Sequence, residues 1–135
     1  MTQKRLFILG VPLDVLSESE LKQQLISILL YRRQRQIVTP NPEFLLLAQR
    51  HQEFLSVLRE AHLSIPDGFG LKIAAWIKRS NLQRFPGSNV VKGLLKFASR
   101  KGLKIAIINR RDGLSSNEEI LETLMHLYPD LQVYI

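Results

Sequence analysis

The sequence predicts an α/β protein with a Rossmann-like arrangement, in which a mostly parallel sheet carries helices on both faces. Short apolar runs typical of strands alternate with longer stretches of helical periodicity along the 135 residues, which is the order that βα units produce. Several of the apolar runs are continuous rather than alternating, as expected for strands that are covered on both sides. The length fits one domain, 1–135, built around a single sheet.

The first strand is predicted at residues 6–9, buried on both faces and ended by Gly10-Val11-Pro12. Ser17 and Glu20 have the spacing of a capping box, and an apolar stripe of helical period follows them. A second strand is predicted at residues 37–38. We therefore expect a strand, a helix and a strand before residue 40.

Two helices are predicted next, and each has an identifiable beginning. Asn41 is the expected N-cap of a helix that runs to about Arg50, with Pro42 in its first turn. A second helix follows His51, and an apolar segment at residues 63–65 forms the next strand. Pro66-Asp67-Gly68 ends that strand, and a further helix is predicted over residues 71–79.

The last third of the chain continues the alternation. Ser88 or Asn89 is the expected cap of a helix with basic residues on its outer face. A buried-type strand is predicted at residues 104–108 and a last strand at 131–135, and Ser116 opens a helix between them. Because no covering helix follows the last strand, we expect the fold to be incomplete at its C-terminus, with an edge strand as the alternative.

Composition excludes several classes of protein. The chain has no cysteine, so it has neither a disulfide framework nor a thiolate nucleophile. Its apolar runs are far shorter than the roughly 20 residues that a membrane-spanning helix needs. The formal net charge of +7 favours partners that carry phosphate, which includes nucleotides, nucleic acids and anionic membranes. We therefore expect a cytoplasmic protein, in solution or at the inner membrane face.

Polar side chains follow two of the predicted strands at the point where each strand ends. Thr39 and Asn41 follow the second strand. Asp67 follows the strand at residues 63–65 and lies in the turn Pro66-Asp67-Gly68. If the sheet is parallel, these residues meet at one edge, where open α/β sheets bind ligands. Asp67 could act as a general base, and Arg84 in a later loop could hold a phosphate. The same residues are also typical of turns, helix caps and solvated surface charges.

Known nucleotide and metal motifs do not occur in the sequence. No glycine-rich dinucleotide fingerprint and no P-loop are present. His51, His62 and His126 lack the spacing of metal ligands, and no two aspartates stand one residue apart. We expect no metal and no cofactor.

Several motifs together resemble the WecG/TagA/CpsF glycosyltransferase family. The resemblance covers the whole chain and is carried by motifs that follow one another in the family's order. These motifs are Leu9-Gly10-Val11-Pro12-Leu13-Asp14, Thr39-Pro40-Asn41-Pro42-Glu43, Pro66-Asp67-Gly68-Phe69-Gly70, Arg84-Phe85-Pro86-Gly87-Ser88-Asn89 and Tyr128-Pro129-Asp130-Leu131. The Thr-x-Asn-Pro-Glu and Pro-Asp-Gly motifs are the more specific ones.

The resemblance implies an inverting, metal-independent transfer of an N-acetylhexosamine, such as N-acetylmannosamine or its uronic acid, from a UDP donor. The acceptor would be a polyprenyl-diphosphate-linked sugar at the cytoplasmic membrane face, in the synthesis of a cell-envelope polysaccharide or teichoic acid. Asp67 matches the base and Thr39 a catalytic partner in the same pocket. The substrate-binding positions carried over from the family are Asn41, Gly68, Arg84 and Asn89. The family also implies self-association, peripheral membrane contact and no nucleic-acid partner.

Two departures and two alternatives stay open at this point. Asn89 stands where relatives tend to have an aspartate, and Asn109-Arg110 stands where they tend to have two glycines. The family also continues beyond residue 135 with donor-binding motifs and a membrane-associating appendage. The alternatives are a basic module that binds nucleic acid or anionic membrane, and an inactive fragment of the enzyme.

Overall fold

The computed structural model describes residues 4–31 and 34–135. Helices and short strands alternate along this part of the chain, which confirms the predicted α/β class. The chain packs as two compact units, Met1–Gly87 and Ser88–Ile135. Among the described residues, the strands pair into two-stranded ladders, one antiparallel and two parallel. The expected parallel pairing is therefore present, but one continuous sheet is not formed by these strands.

The first unit begins with a β-hairpin that the sequence analysis did not predict. Strands β1 (Arg5–Ile8) and β2 (Val11–Asp14) pair antiparallel. Leu9 and Gly10 connect them with φ of 49° and 77°, the positive values that a tight two-residue hairpin turn requires. The first strand therefore ends before Gly10 as predicted, but Val11 and Pro12 belong to a second strand that pairs back onto it. The predicted burial of the first strand on both faces is wrong, since Phe7 of β1 is exposed and the fully buried strand of the hairpin is β2.

The remaining elements of the first unit follow the predicted order. They are α1 (Glu18–Leu30), β3 (Ile37–Val38), α2 (Pro42–Arg50), α3 (Gln52–Glu60), β4 (Leu63–Ser64) and α4 (Phe69–Ile77). The capping box of Ser17 and Glu20 is present at the start of α1, and Asn41 caps α2 with Pro42 in its first turn. Helix α4 begins and ends two residues earlier than predicted.

One hydrophobic core holds the first unit together. It combines the hairpin with one face each of α2, α3 and α4, so it fixes the strands that lead to the predicted site. Its buried members are Ile8, Val11, Leu13, Leu45, Ala48, Leu55, Leu58, Leu71, Ala75 and Leu82. Strands β3 and β4 pair in parallel, with Ile37 opposite Leu63 and Val38 opposite Ser64.

The second unit contains most of α5 (Gly87–Lys101), then β5 (Lys104–Ala106), α6 (Asn117–Leu127) and β6 (Gln132–Tyr134). Strands β5 and β6 pair in parallel, and the predicted capping box at Ser116 is present. The predicted burial of residues 104–108 is wrong, since β5 is shorter and largely exposed and Ile108 is fully exposed.

Helix α5 begins at Gly87, so Ser88 and Asn89 lie in its first turn and not at the cap. The prediction that one of them caps the helix is therefore wrong. The first backbone N–H of α5 is instead bonded by a side chain from elsewhere in the chain, Asp67. No helix within residues 4–31 and 34–135 is long and apolar enough to cross a membrane.

Candidate active site

Three chain segments run side by side at the carboxyl end of the β3–β4 ladder. Hydrogen bonds continue past the strands, from the N–H of Ile65 to the carbonyl of Val38 (2.8 Å) and from that of Asp67 to Pro40 (2.9 Å). The N–H of Phe85 then bonds to the carbonyl of Pro66 at 3.0 Å. Residues 39–41, 65–67 and 84–86 are thereby held next to one another, and the first two meet at one edge as parallel pairing predicts.

The Asp67 carboxylate lies at the centre of this junction. Its Oδ2 accepts a hydrogen bond of 2.9 Å from the N–H of Gly87. A Cβ added at Gly87 would lie 3.3 Å from that oxygen and 3.3 Å from Oγ1 of Thr39. The two oxygens therefore flank the glycine, and the lack of a side chain there leaves the space between them open. Gly87 contributes to this site through its backbone, which the sequence analysis did not predict.

The second carboxylate oxygen of Asp67 faces Arg84. The distance from Oδ1 to Arg84 Nε is 3.7 Å, and the two side chains are 30% and 45% exposed. This separation is longer than a hydrogen bond, so the two groups form a loose, partly solvated ion pair. Oδ2 is held by the backbone N–H of Gly87, Oδ1 lies beside a cation, and the side chain as a whole stays partly exposed to solvent. Such a carboxylate is fixed in orientation and can still accept a proton from a ligand hydroxyl.

Asn41 and Gly68 fix the starts of the two helices that border the site. The side-chain oxygen of Asn41 accepts a 2.8 Å hydrogen bond from the N–H of Phe44, so it caps α2 and leaves only its amide N–H groups to donate to a ligand. Gly68 has φ of 104°, and a Cβ there would lie 2.9 Å from Cδ of Pro42. Gly68 therefore allows the start of α4 to pack against the start of α2.

Asn89 belongs to the second unit, where it is exposed in the first turn of α5. The structure thus brings Thr39, Asp67 and Arg84 together with Gly87 where three segments of the first unit meet. Within the described residues, no group of three or more His, Asp or Glu side chains is placed to hold a metal ion. Metal-independence stays a prediction.

A buried carboxylate, Asp14, connects the hairpin to the strand that carries the site. Asp14 is completely buried, and its Oδ2 accepts a 2.6 Å hydrogen bond from the N–H of Ser64 in β4. Its Oδ1 accepts a 2.8 Å bond from Arg5 Nε, and the same guanidinium donates to the carbonyls of Ala61 and His62. These hydrogen bonds therefore fix residues 61–64, the segment that leads to Asp67. In the sequence, Asp14 stands out only as part of a motif.

The sequence of this chain is similar to a known protein family and to a characterised enzyme. The sequence profile of the Glycosyl transferase WecG/TagA/CpsF family matches residues 6–135. The chain is also similar to an N-acetylglucosaminyldiphosphoundecaprenol N-acetyl-beta-D-mannosaminyltransferase of Bacillus subtilis (strain 168), with 26% identity over 98 residues. That alignment covers 72% of this chain and 38% of the relative, so the chain spans well under half of that enzyme's length.

Proposed function

The chain belongs to the WecG/TagA/CpsF family of glycosyl transferases, and from this premise we propose that it carries the acceptor-activating part of a sugar-transfer site. The transferred group is an N-acetylhexosamine, N-acetylmannosamine or its uronic acid, and the donor is a UDP-sugar. The acceptor is a sugar on a polyprenyl diphosphate, as in the name of the relative. The product contributes to a cell-envelope polysaccharide or teichoic acid.

One observation carries the proposal: the Asp67 carboxylate is held at the carboxyl end of a parallel ladder by the N–H of Gly87, beside Oγ1 of Thr39, and stays partly open to solvent. In the proposed reaction, an acceptor hydroxyl attacks the anomeric carbon of the donor sugar. The Oδ1 atom of Asp67 takes the hydroxyl proton as the new carbon–oxygen bond forms. The bond between the anomeric carbon and the diphosphate breaks, and UDP leaves with the electron pair.

The neighbouring groups have separate parts in this step. Thr39 Oγ1 is placed to hydrogen-bond a sugar hydroxyl next to the carboxylate, and the Asn41 amide can donate to the same sugar. Arg84 beside Asp67 is placed to bind a phosphate group at the entrance of the site. The Rossmann-like sheet, the role of Asn89, self-association and contact with the cytoplasmic membrane face stay predictions of family membership.

The test is a transfer reaction with defined substrates. The protein is incubated with UDP-N-acetylmannosamine and a short-chain N-acetylglucosaminyl-diphospho-lipid, and the product is analysed by mass spectrometry and by NMR of the new linkage. We expect one added N-acetylhexosamine with the anomeric configuration inverted from the donor. A product with retained configuration, or release of free sugar from the donor without any glycosylated lipid, would contradict the proposal.

A further inference from the structure

A wide cleft opens beside the candidate active site in the first unit. Its volume is about 700 Å³. A second hollow of about 420 Å³ adjoins it and shares Lys72, Asn81 and Leu82 with it. The two hollows follow one side of α4 and the segment after that helix.

Three cations line this combined surface. Lys72 and Arg84 line the cleft, while Lys72 and Arg79 line the second hollow. Glu20 also reaches the cleft, but its Oε2 is occupied by the backbone N–H (2.7 Å) and the hydroxyl (2.6 Å) of Ser17. Neither Lys72 nor Arg79 forms an ion pair with another residue in the part of the chain that the structure describes. The surface therefore suits an anion with more than one negative charge.

The outer side of α4 is apolar, although it is exposed. Phe69 is 64% and Trp76 is 76% exposed, and Ile73 and Ile77 are exposed beside them. Phe69 lines the cleft and Trp76 lines the second hollow. Apolar side chains at this helical spacing form a continuous stripe, and here the stripe runs next to the cations. An anionic head with a hydrocarbon tail matches this combination of groups.

Resting on the function proposed above, we propose that this surface binds the diphosphate and first isoprene units of the lipid-linked acceptor. Lys72 and Arg84 hold the diphosphate, and Phe69 and Trp76 contact the hydrocarbon. Because Arg84 is also 3.7 Å from the Asp67 carboxylate, a diphosphate held at Arg84 places the attached sugar next to the base. The cleft is thereby a binding site for the acceptor's lipid diphosphate, with the donor bound elsewhere.

Trp76 is the chain's only tryptophan, so its fluorescence reports binding directly. The protein is titrated with farnesyl diphosphate as the probe, and with farnesol, inorganic diphosphate and UDP in separate arms. We expect a saturable shift of the emission to shorter wavelength with farnesyl diphosphate, as hydrocarbon covers the indole. Farnesol and inorganic diphosphate should each bind at least about tenfold more weakly, because each lacks one half of the ligand.

Lys72→Met tests the cation at an exposed helix position, and Lys22→Met on α1 is the matched control outside the cleft. We expect Lys72→Met to weaken farnesyl diphosphate binding about tenfold, the size of one charge-assisted hydrogen bond, and Lys22→Met to leave it unchanged. Equal effects of the two variants would overturn the proposal. So would equal affinity for farnesol, or UDP binding as tightly as farnesyl diphosphate and displacing it.

This experiment needs no donor sugar and no turnover, so its failure is distinguishable from failure of the proposed function. Transfer activity without the farnesyl diphosphate signal would place the lipid elsewhere and leave the proposed reaction intact. The signal without transfer activity would leave the lipid site intact and remove the reaction.

Discussion

Asp14→Asn should destabilise the first unit strongly although it keeps the size of the side chain. The carboxylate faces two donors, the N–H of Ser64 at 2.6 Å and Arg5 Nε at 2.8 Å. An asparagine has only one acceptor oxygen, so its amide group must face one of the two donors. A buried donor left without a partner costs about 1–3 kcal/mol, and the bond that remains loses roughly 1 kcal/mol when its charge is removed. We therefore expect a total loss of about 3 kcal/mol.

Urea unfolding followed by far-ultraviolet circular dichroism measures this loss, because helices α1 to α4 all lie in the first unit. With a slope of about 1–3 kcal/mol per M, the midpoint should fall by about 1–3 M. Ser64→Ala is the matched control at the same buried location: it keeps the backbone N–H and removes a hydroxyl without a partner among the described residues. The reasoning is refuted if Asp14→Asn shifts the midpoint no more than this control.

Three further predictions concern glycines and a helix cap. Gly68→Ala should lower the free energy of unfolding by about 1–3 kcal/mol, because Gly68 has a φ of 104° and a Cβ there would press on Pro42. Gly93→Ala is the comparison: it has open space around it, and it should raise the free energy of unfolding by up to about 1 kcal/mol in a melting experiment. Gly87→Ala should reduce the rate of sugar transfer about tenfold by displacing the two flanking oxygens, with little change in melting temperature. Hydrogen bonds from the capping Ser17 hold the pKa of Glu20 below its usual value. Glu20→Gln should therefore be less stable than wild type at neutral pH, and this difference should vanish as acid titrates the wild-type carboxylate through that lowered pKa. A difference that persists in acid would contradict this assignment.

Local signals in the sequence predicted the helices well. The capping boxes at Ser17 and Ser116 and the cap at Asn41 occur where their spacing places them, because these signals depend on residues within one turn of each other. The meeting of the Thr39 and Asp67 segments followed from parallel pairing alone.

Features that depend on distant residues could not be predicted in the same way. The cap of α5 comes from Asp67, which is 20 positions away from Gly87. The hairpin was missed because a leucine at positive φ is uncommon, so Leu9-Gly10 did not indicate a two-residue turn. Recognising that turn would have placed Arg5 opposite Asp14 and identified the buried pair.

The rate of sugar transfer by Asp67→Asn tests the central claim most directly, because this variant keeps the shape of the side chain and an oxygen for the N–H of Gly87. Asp112→Asn, the same chemical change at an exposed residue, is the matched control. We predict that Asp67→Asn loses about 10²–10⁴-fold in rate, the usual contribution of a general base, while the control keeps the wild-type rate. A folded Asp67→Asn protein that transfers sugar as fast as the control would contradict the assignment of this carboxylate as the base.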